Sequence, residues 1–220
     1  MLKRKILFTF GTMTTILTQE EANQIAGSYF GRIASVIEGA FEDYLRSLDS
    51  ISSAGIRTDL KIRTSASLVH DMIASRSRLE FANDPFVRVG DYKGIFGLVV
   101  AGKLFIRFKK FNAVLKTSNI PTGQSERFIK QQLELPGLRR PTLLTAGYLL
   151  SATGTAIRNI YLTCRRDNQI IWYRDLRGES GTLPMFGPDL IPGGGPNAPT
   201  ERPPLVVLKG GKSDTSQTAS

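Results

Sequence analysis

The apolar residues of this chain change their spacing once, near residue 80, and that change limits the folds open to it. Before it the spacing is helical. Thr18-Gln19-Glu20-Glu21 reads as a capping box, with Thr18 as N-cap and Glu21 three positions on. Behind it Ile25, Tyr29, Ile33, Val36, Ile37, Ala40, Tyr44 and Leu48 recur at three- and four-residue intervals, with Arg32, Glu38, Glu42, Asp43, Arg46 and Asp49 mostly off that stripe. The pattern predicts one amphipathic helix of about thirty residues, ending near Asp49 to Ser53 with Gly55 as its stop. Thr64 caps a second helix to about Ser77, with Leu68, Val69, Met72 and Ile73 on its inner face.

After residue 80 the period is that of a strand. Phe86 to Val89 is a short strand before Gly90-Asp91. Ile95 to Val100, the turn Ala101-Gly102-Lys103, and Leu104 to Phe108 read as a β-hairpin. Asn112 to Gly123 is a loop, and Thr122 or Ser125 starts a helix through about Leu133, ended by Pro136-Gly137. Leu143 to Leu150, Ile157 to Cys164 and Gln169 to Tyr173 are further strands, the last two joined by Arg165-Arg166-Asp167-Asn168. Hairpin spacing favours antiparallel pairing, so the expectation is an α+β fold with a five- or six-stranded, mainly antiparallel sheet. The long N-terminal helix and the shorter ones would cover it.

The ends differ in character. Lys3-Arg4-Lys5 before Ile6 to Phe10 has the look of a signal peptide, but Gly11, Thr12, Thr14 and Thr15 break the apolar run, and Gln19-Glu20-Glu21 stands where a small-residue cleavage site belongs. Residues 1–17 are read as a flexible leader and 18–182 as one domain. Residues 183–220, rich in Pro and Gly, are read as a disordered tail carrying one apolar tetrad, Leu205, Val206, Val207 and Leu208.

Positive charge is concentrated in the middle. Residues 57–182 carry 21 Lys/Arg against 10 Asp/Glu, whereas 1–56 carry 5 against 6 and 183–220 carry 3 against 3. Charge gathered on a folded segment points to a polyanion, an acidic protein or an anionic surface. The most pointed local feature is the strand from Leu104 to Phe111. Alternation puts Leu104, Ile106 and Phe108 on one face and Phe105, Arg107 and Lys109 on the other. On an open sheet, Phe105 would stack on a base while Lys103, Arg107, Lys109 and Lys110 meet phosphates. The competing reading is a two-sided strand whose second face lies under a helix. Arg165 and Arg166 supply a second basic contact at a turn.

Other chemistry lacks its residues. One cysteine, Cys164, cannot make an intramolecular disulfide, and with one histidine, His70, it cannot build a Cys/His zinc site. A reducing cytoplasm fits that cysteine count. No Gly-x-x-x-x-Gly-Lys-Ser/Thr loop occurs, and no cofactor is expected. Glu80, Asp84 and Asp91 precede the hairpin, but the carboxylate two residues before a strand lysine that a metal-dependent nuclease wants is missing at Lys103.

The segments Phe105 to Lys110, Asn119-Ile120-Pro121-Thr122, Gln132 to Gly137 and Ala146-Gly147-Tyr148 resemble a group of uncharacterised bacterial proteins of prophage or other mobile-element loci, encoded beside helix-turn-helix regulators and small metallopeptidases. The similarity runs over residues 85–176 and implies a regulatory, phage-defence or toxin–antitoxin setting. With the basic middle segment, the first expectation is a protein that binds DNA, RNA or another polyanion through a basic sheet surface and shows no catalytic signature. The alternatives are a protein-interaction component using residues 18–53 or the Leu205 to Leu208 tetrad, and a metal-dependent nuclease. No segment has the length and apolarity to span a membrane.

Overall fold

Thr18 closes the capping box that its sequence predicts: Glu21 N donates to Thr18 Oγ1 at 3.2 Å, and Thr18 N donates to Glu21 Oε2 at 2.8 Å. This computed structural model describes residues 16–57, 59–118, 122–167 and 169–178. The expected long helix is interrupted. Helix α1 (Gln19–Ala26) passes through one 3₁₀ turn at Gly27–Tyr29 into α2 (Phe30–Ser53). The break falls on Gly27 and Ser28, both poorer helix formers than alanine, and Ala26 has already left helical geometry at ψ 3°. Helix α3 (Ile62–Glu80) begins two residues before Thr64, with Lys61 as an N-cap that makes no side-chain bond.

Ion pairs fasten the helices to each other and to the start of the sheet. Arg32 Nε lies 2.7 Å from Glu80 Oε1 and its Nη1 2.7 Å from Asp84 Oδ2, while its guanidinium carbon sits 4.5 Å from the centre of the Phe81 ring. Arg76 pairs with Asp43 at 2.5 Å, and Arg78 with Asp91 at 3.3 Å. The arginines at the end of α3 thus have carboxylate partners, not only a helix terminus, to explain them.

The sheet is open and six-stranded, in the order β1 (Val87–Tyr92), β2 (Ile95–Val100), β3 (Leu104–Lys110), β4 (Thr142–Leu150), β5 (Ile157–Arg166) and β6 (Gln169–Asp175). The fold is α+β, as expected. Strand β1 continues through Gly90 and Asp91 instead of ending before them, and turns at Lys93-Gly94, whose φ values of 53° and 78° are those of a type I′ hairpin. Every pairing is antiparallel except β3 with β4, which is parallel. The connection between those two strands holds α4 (Gly123–Ile129) and is long enough for a crossover.

The central strands bury apolar side chains on both faces. On one, Leu98, Leu104, Ile106, Leu144, Ile160 and Leu162 share an apolar cluster with Ile33, Ile37, Val69 and Ile73 of α2 and α3. Each such side chain contributes about 1.5–3 kcal/mol by leaving water. The apolar stripe of residues 18–53, expected as a handle for a partner, lies largely in this cluster. On the other face, Val99, Phe105 and Leu143 pack with Phe128, Leu133 and Leu135 from α4 and the segment after it. Gln131 pins that layer down. Its side chain donates to Leu143 O at 2.7 Å and Arg165 O at 2.8 Å, and accepts from Leu143 N at 2.8 Å.

Ile16 and Leu17, the last residues of the expected leader, pack on the core. Leu17 N donates to Thr142 Oγ1 at 3.1 Å, and its carbonyl accepts from Trp172 Nε1 at 2.9 Å. Residues 1–15 and the tail 183–220 with its Leu205 to Leu208 tetrad lie outside the described residues. Among the described residues no helix is long and apolar enough to cross a membrane.

Candidate anion-binding cleft

Strands β2 and β3 pair only from Val100↔Leu104 to Gly97↔Arg107. Beyond that register β2 stays with β1 and β3 stays with β4, so the two part company. Gly97 sits at the fork, where an added Cβ would come within 2.6 Å of Ile106 O and 2.7 Å of Phe105 Cζ. Where the strands diverge a cavity of about 990 Å³ opens, walled by the first half of α3 on one side and by the start of α4 on the other.

A row of residues crosses the sheet at the fork. Gly90, Gly97, Arg107, Thr145, Thr163 and Tyr173 are consecutive cross-strand partners. Arg107, Thr145 and Thr163 are the polar residues of that row, and each is at most 5% exposed. They separate the apolar cluster under α4 from a smaller one formed by Phe111, Leu115 and Tyr161. Arg107 Nε donates to Thr145 Oγ1 at 3.1 Å, and its guanidinium carbon lies 3.7 Å from the centre of the Phe128 ring. Those contacts fix the guanidinium plane from two directions. Its terminal nitrogens donate to no described residue, and Arg107 is part of the cleft wall.

The open-platform expectation is therefore corrected. Phe105 is fully buried, edge-on to Tyr92 and Phe128, and has no face on which a base could stack. Arg107 is not on an open surface either, because α4 and the Phe128 ring lie over that face of β3. The two-sided strand is the arrangement found.

Of the residues singled out for binding, Arg107, Lys109 and Lys110 come together in the cleft, where Arg63 and His70 from α3 join them. Lys103 and Arg166 are exposed and lie outside it. Arg165 is half-buried. It donates from Nη1 to Leu115 O at 3.2 Å and acts on the cleft through its charge. The alternation around Lys109 and Lys110 was legible in sequence. The part played by Arg63 and His70 was not, since no sequence pattern shows which helix face meets the fork.

The cleft is electrically unbalanced. Arg63, Arg107, Lys109 and Lys110 line it, against the single carboxylate of Asp71. Neither Arg107, Lys109 nor Lys110 forms an ion pair with a described carboxylate. Burial, with the Arg165 charge added, pulls the Arg107 pKa down to about 10. Burial and then Arg107 lower that of Lys109. Burial and then Lys109 lower that of His70, against the opposing pull of Asp71. All three shifts have one cause: positive charge held away from water with too little negative charge beside it.

No family description, no curated protein sequence and no solved structure matches this chain. The cleft is the feature from which a function can be read. Among the described residues, no group of three or more His, Cys, Asp and Glu side chains is placed to hold a metal ion. Cys164 is fully buried, and burial pushes its thiol up to about 12, far from a nucleophile's range.

Proposed function

We propose that this protein is a non-enzymatic binder of single-stranded nucleic acid and that the strand enters the cleft between α3 and the diverging strands. The observation that carries this reading is the imbalance of four Lys/Arg side chains against one carboxylate around a cavity of about 990 Å³. A polyanion supplies the missing charge and releases its own counterions in doing so. A single strand fits the concavity better than a duplex. A duplex displays its phosphates on a convex surface, whereas Arg107 is only 5% exposed and is reached through the cavity. In the mobile-element setting that the sequence resemblance implies, such a protein would serve as the binding component of a regulatory or defence system.

Fluorescence anisotropy with a labelled single strand tests the reading. Binding is expected to be micromolar or tighter at low salt, to weaken linearly in log–log form as salt rises, and to be displaced more readily by single strands than by duplex of equal length. Binding with no salt dependence, or none at all, removes the proposal.

A further inference from the structure

The position of Arg107 says more than that the cleft is cationic. A lysine pair on a strand meets a phosphodiester wherever the backbone passes. Arg107 is different in three respects. The residue is 5% exposed, its guanidinium is held by the Phe128 ring at 3.7 Å and the Thr145 hydroxyl at 3.1 Å, and its terminal nitrogens donate to no described residue although it lines the cavity. A clamped guanidinium with two free terminal nitrogens is a fork for a planar pair of oxygens. Its recess limits what can bring those oxygens to it. An internal phosphodiester carries a sugar on both sides, and two sugars do not follow it to a side chain so nearly covered. A terminal phosphomonoester carries one, and projects. It also has three unesterified oxygens and a second negative charge, which suits a buried site where Arg165 presses positive charge onto Arg107 and Arg107 onto Lys109.

We infer that Arg107 is the receptor for the terminal phosphomonoester of a nucleic acid strand, and that the cleft takes strand ends in preference to strand interiors. The inference rests on the strand-binding reading above and sharpens it. Lys109 and Lys110 meet the diesters that follow the end; Phe128, Thr145 and Gln131 are positioning residues, the first two acting on Arg107 directly and Gln131 by holding the α4 layer on the sheet.

The test compares oligonucleotides of one sequence at one salt concentration: 5′-phosphorylated, 3′-phosphorylated, hydroxyl at both ends, and the same sequence closed into a circle. A mononucleotide serves as competitor. One of the phosphorylated strands is expected to bind about tenfold or more tighter than the hydroxyl-ended strand, the size of one bidentate charge-assisted contact, and the circle to bind no better than the latter. The variant Arg107→Lys keeps the charge and loses the fork, so it is expected to erase the preference while leaving the salt slope in place. Arg107→Met is the second variant, with thermal melts to verify that both fold. Equal binding of all four oligonucleotides overturns the end preference and leaves the strand reading standing. A preference that survives both variants overturns Arg107 as the receptor. A mononucleotide that binds as tightly as the phosphorylated strand shows a small-ligand site and overturns the strand-end assignment. Absence of any salt-sensitive binding overturns both readings together.

Discussion

The guanidinium carbon of Arg107 lies 3.7 Å from the centre of the Phe128 ring, in a layer where neither residue is more than 5% exposed. A buried arginine that faces no carboxylate is a burden on stability, since desolvation costs several kcal/mol and the ring and one hydroxyl return only part of it. The expectation is a trade. Arg107→Met removes the charge and keeps the volume, so chemical denaturation is expected to show unchanged or increased stability while oligonucleotide affinity falls. A loss of stability of more than about 3 kcal/mol would instead mark Arg107 as a structural residue, the size seen when a partner of a satisfied buried pair is removed.

Phe128 has the opposite signature. It is 3% exposed and packs with Phe105, Leu133 and Leu143, so Phe128→Ala is expected to destabilise the fold by about 3–5 kcal/mol. Phe128→Leu keeps most of the packing and loses the ring that holds Arg107. Urea titration should show a smaller loss for this variant, while binding weakens through a misplaced guanidinium. Equal affinity for Phe128→Leu and the unaltered protein would show that the ring does not position Arg107.

At Gly147 the chain has no room for a side chain. The position pairs with Lys109, and an added Cβ would run into the Lys109 carbonyl and lie 2.5 Å from the Phe111 ring. Gly147→Ala is expected to cost about 1–3 kcal/mol, as overpacking in a fixed sheet does, and to displace the end of β3 that carries Lys109 and Lys110. A melting temperature identical to that of the unaltered protein would mean that β3 and β4 are looser there than the register implies.

His70 links the cleft to pH. It stands half-buried on α3, edge-on to Phe96; burial and then Lys109 from β3 oppose its protonation, while Asp71 on its own helix and Asp91 from β1 favour it. Its folded pKa lies below the ordinary value of about 6.5, so the unfolded chain takes the proton first. This group's contribution to stability is therefore present above about pH 6.5 and is lost as pH falls through that value toward the lower folded pKa. A phosphate bound beside His70 would stabilise the imidazolium and reverse the preference. Affinity for a hydroxyl-ended strand, whose diesters do not titrate, is expected to rise as pH is lowered below about 6.5. His70→Gln should flatten both profiles, and identical profiles in the variant would assign the effect to another group.

How much of this was legible in the sequence varies along the chain for physical reasons. The Thr18 capping box, the helix stripes and the β2–β3 hairpin are local, and their residues announce them through side-chain bonds and period alone. The 3₁₀ break at Gly27–Tyr29 does not show in the apolar spacing, whose stripe runs through it undisturbed. The parallel β3–β4 pairing is not legible in the sequence, because it depends on where a long connection returns, which no local residue encodes. The open surface expected for Arg107 and Phe105 is not the one the fold provides. Alternation places Phe105 and Arg107 on the face opposite Leu104 and Ile106, but it cannot show that Phe128, more than twenty positions away, covers that face. The cleft itself comes from a fork between two strands, which is a property of the sheet and not of any strand within it.

On the proposed reading, charge inside the cleft, not charge spread over the protein, holds the strand. The most direct measurement is the salt dependence of single-strand binding by two double variants. Lys109→Gln with Lys110→Gln empties the cleft of two cations; Lys103→Gln with Arg166→Gln removes two exposed cations outside it. The first pair is expected to weaken binding sharply and to lower the log–log salt slope by about 0.7 for each cation removed, while the second pair leaves slope and affinity nearly unchanged. Equal losses from the two pairs, or a larger loss from Lys103 and Arg166, would contradict it.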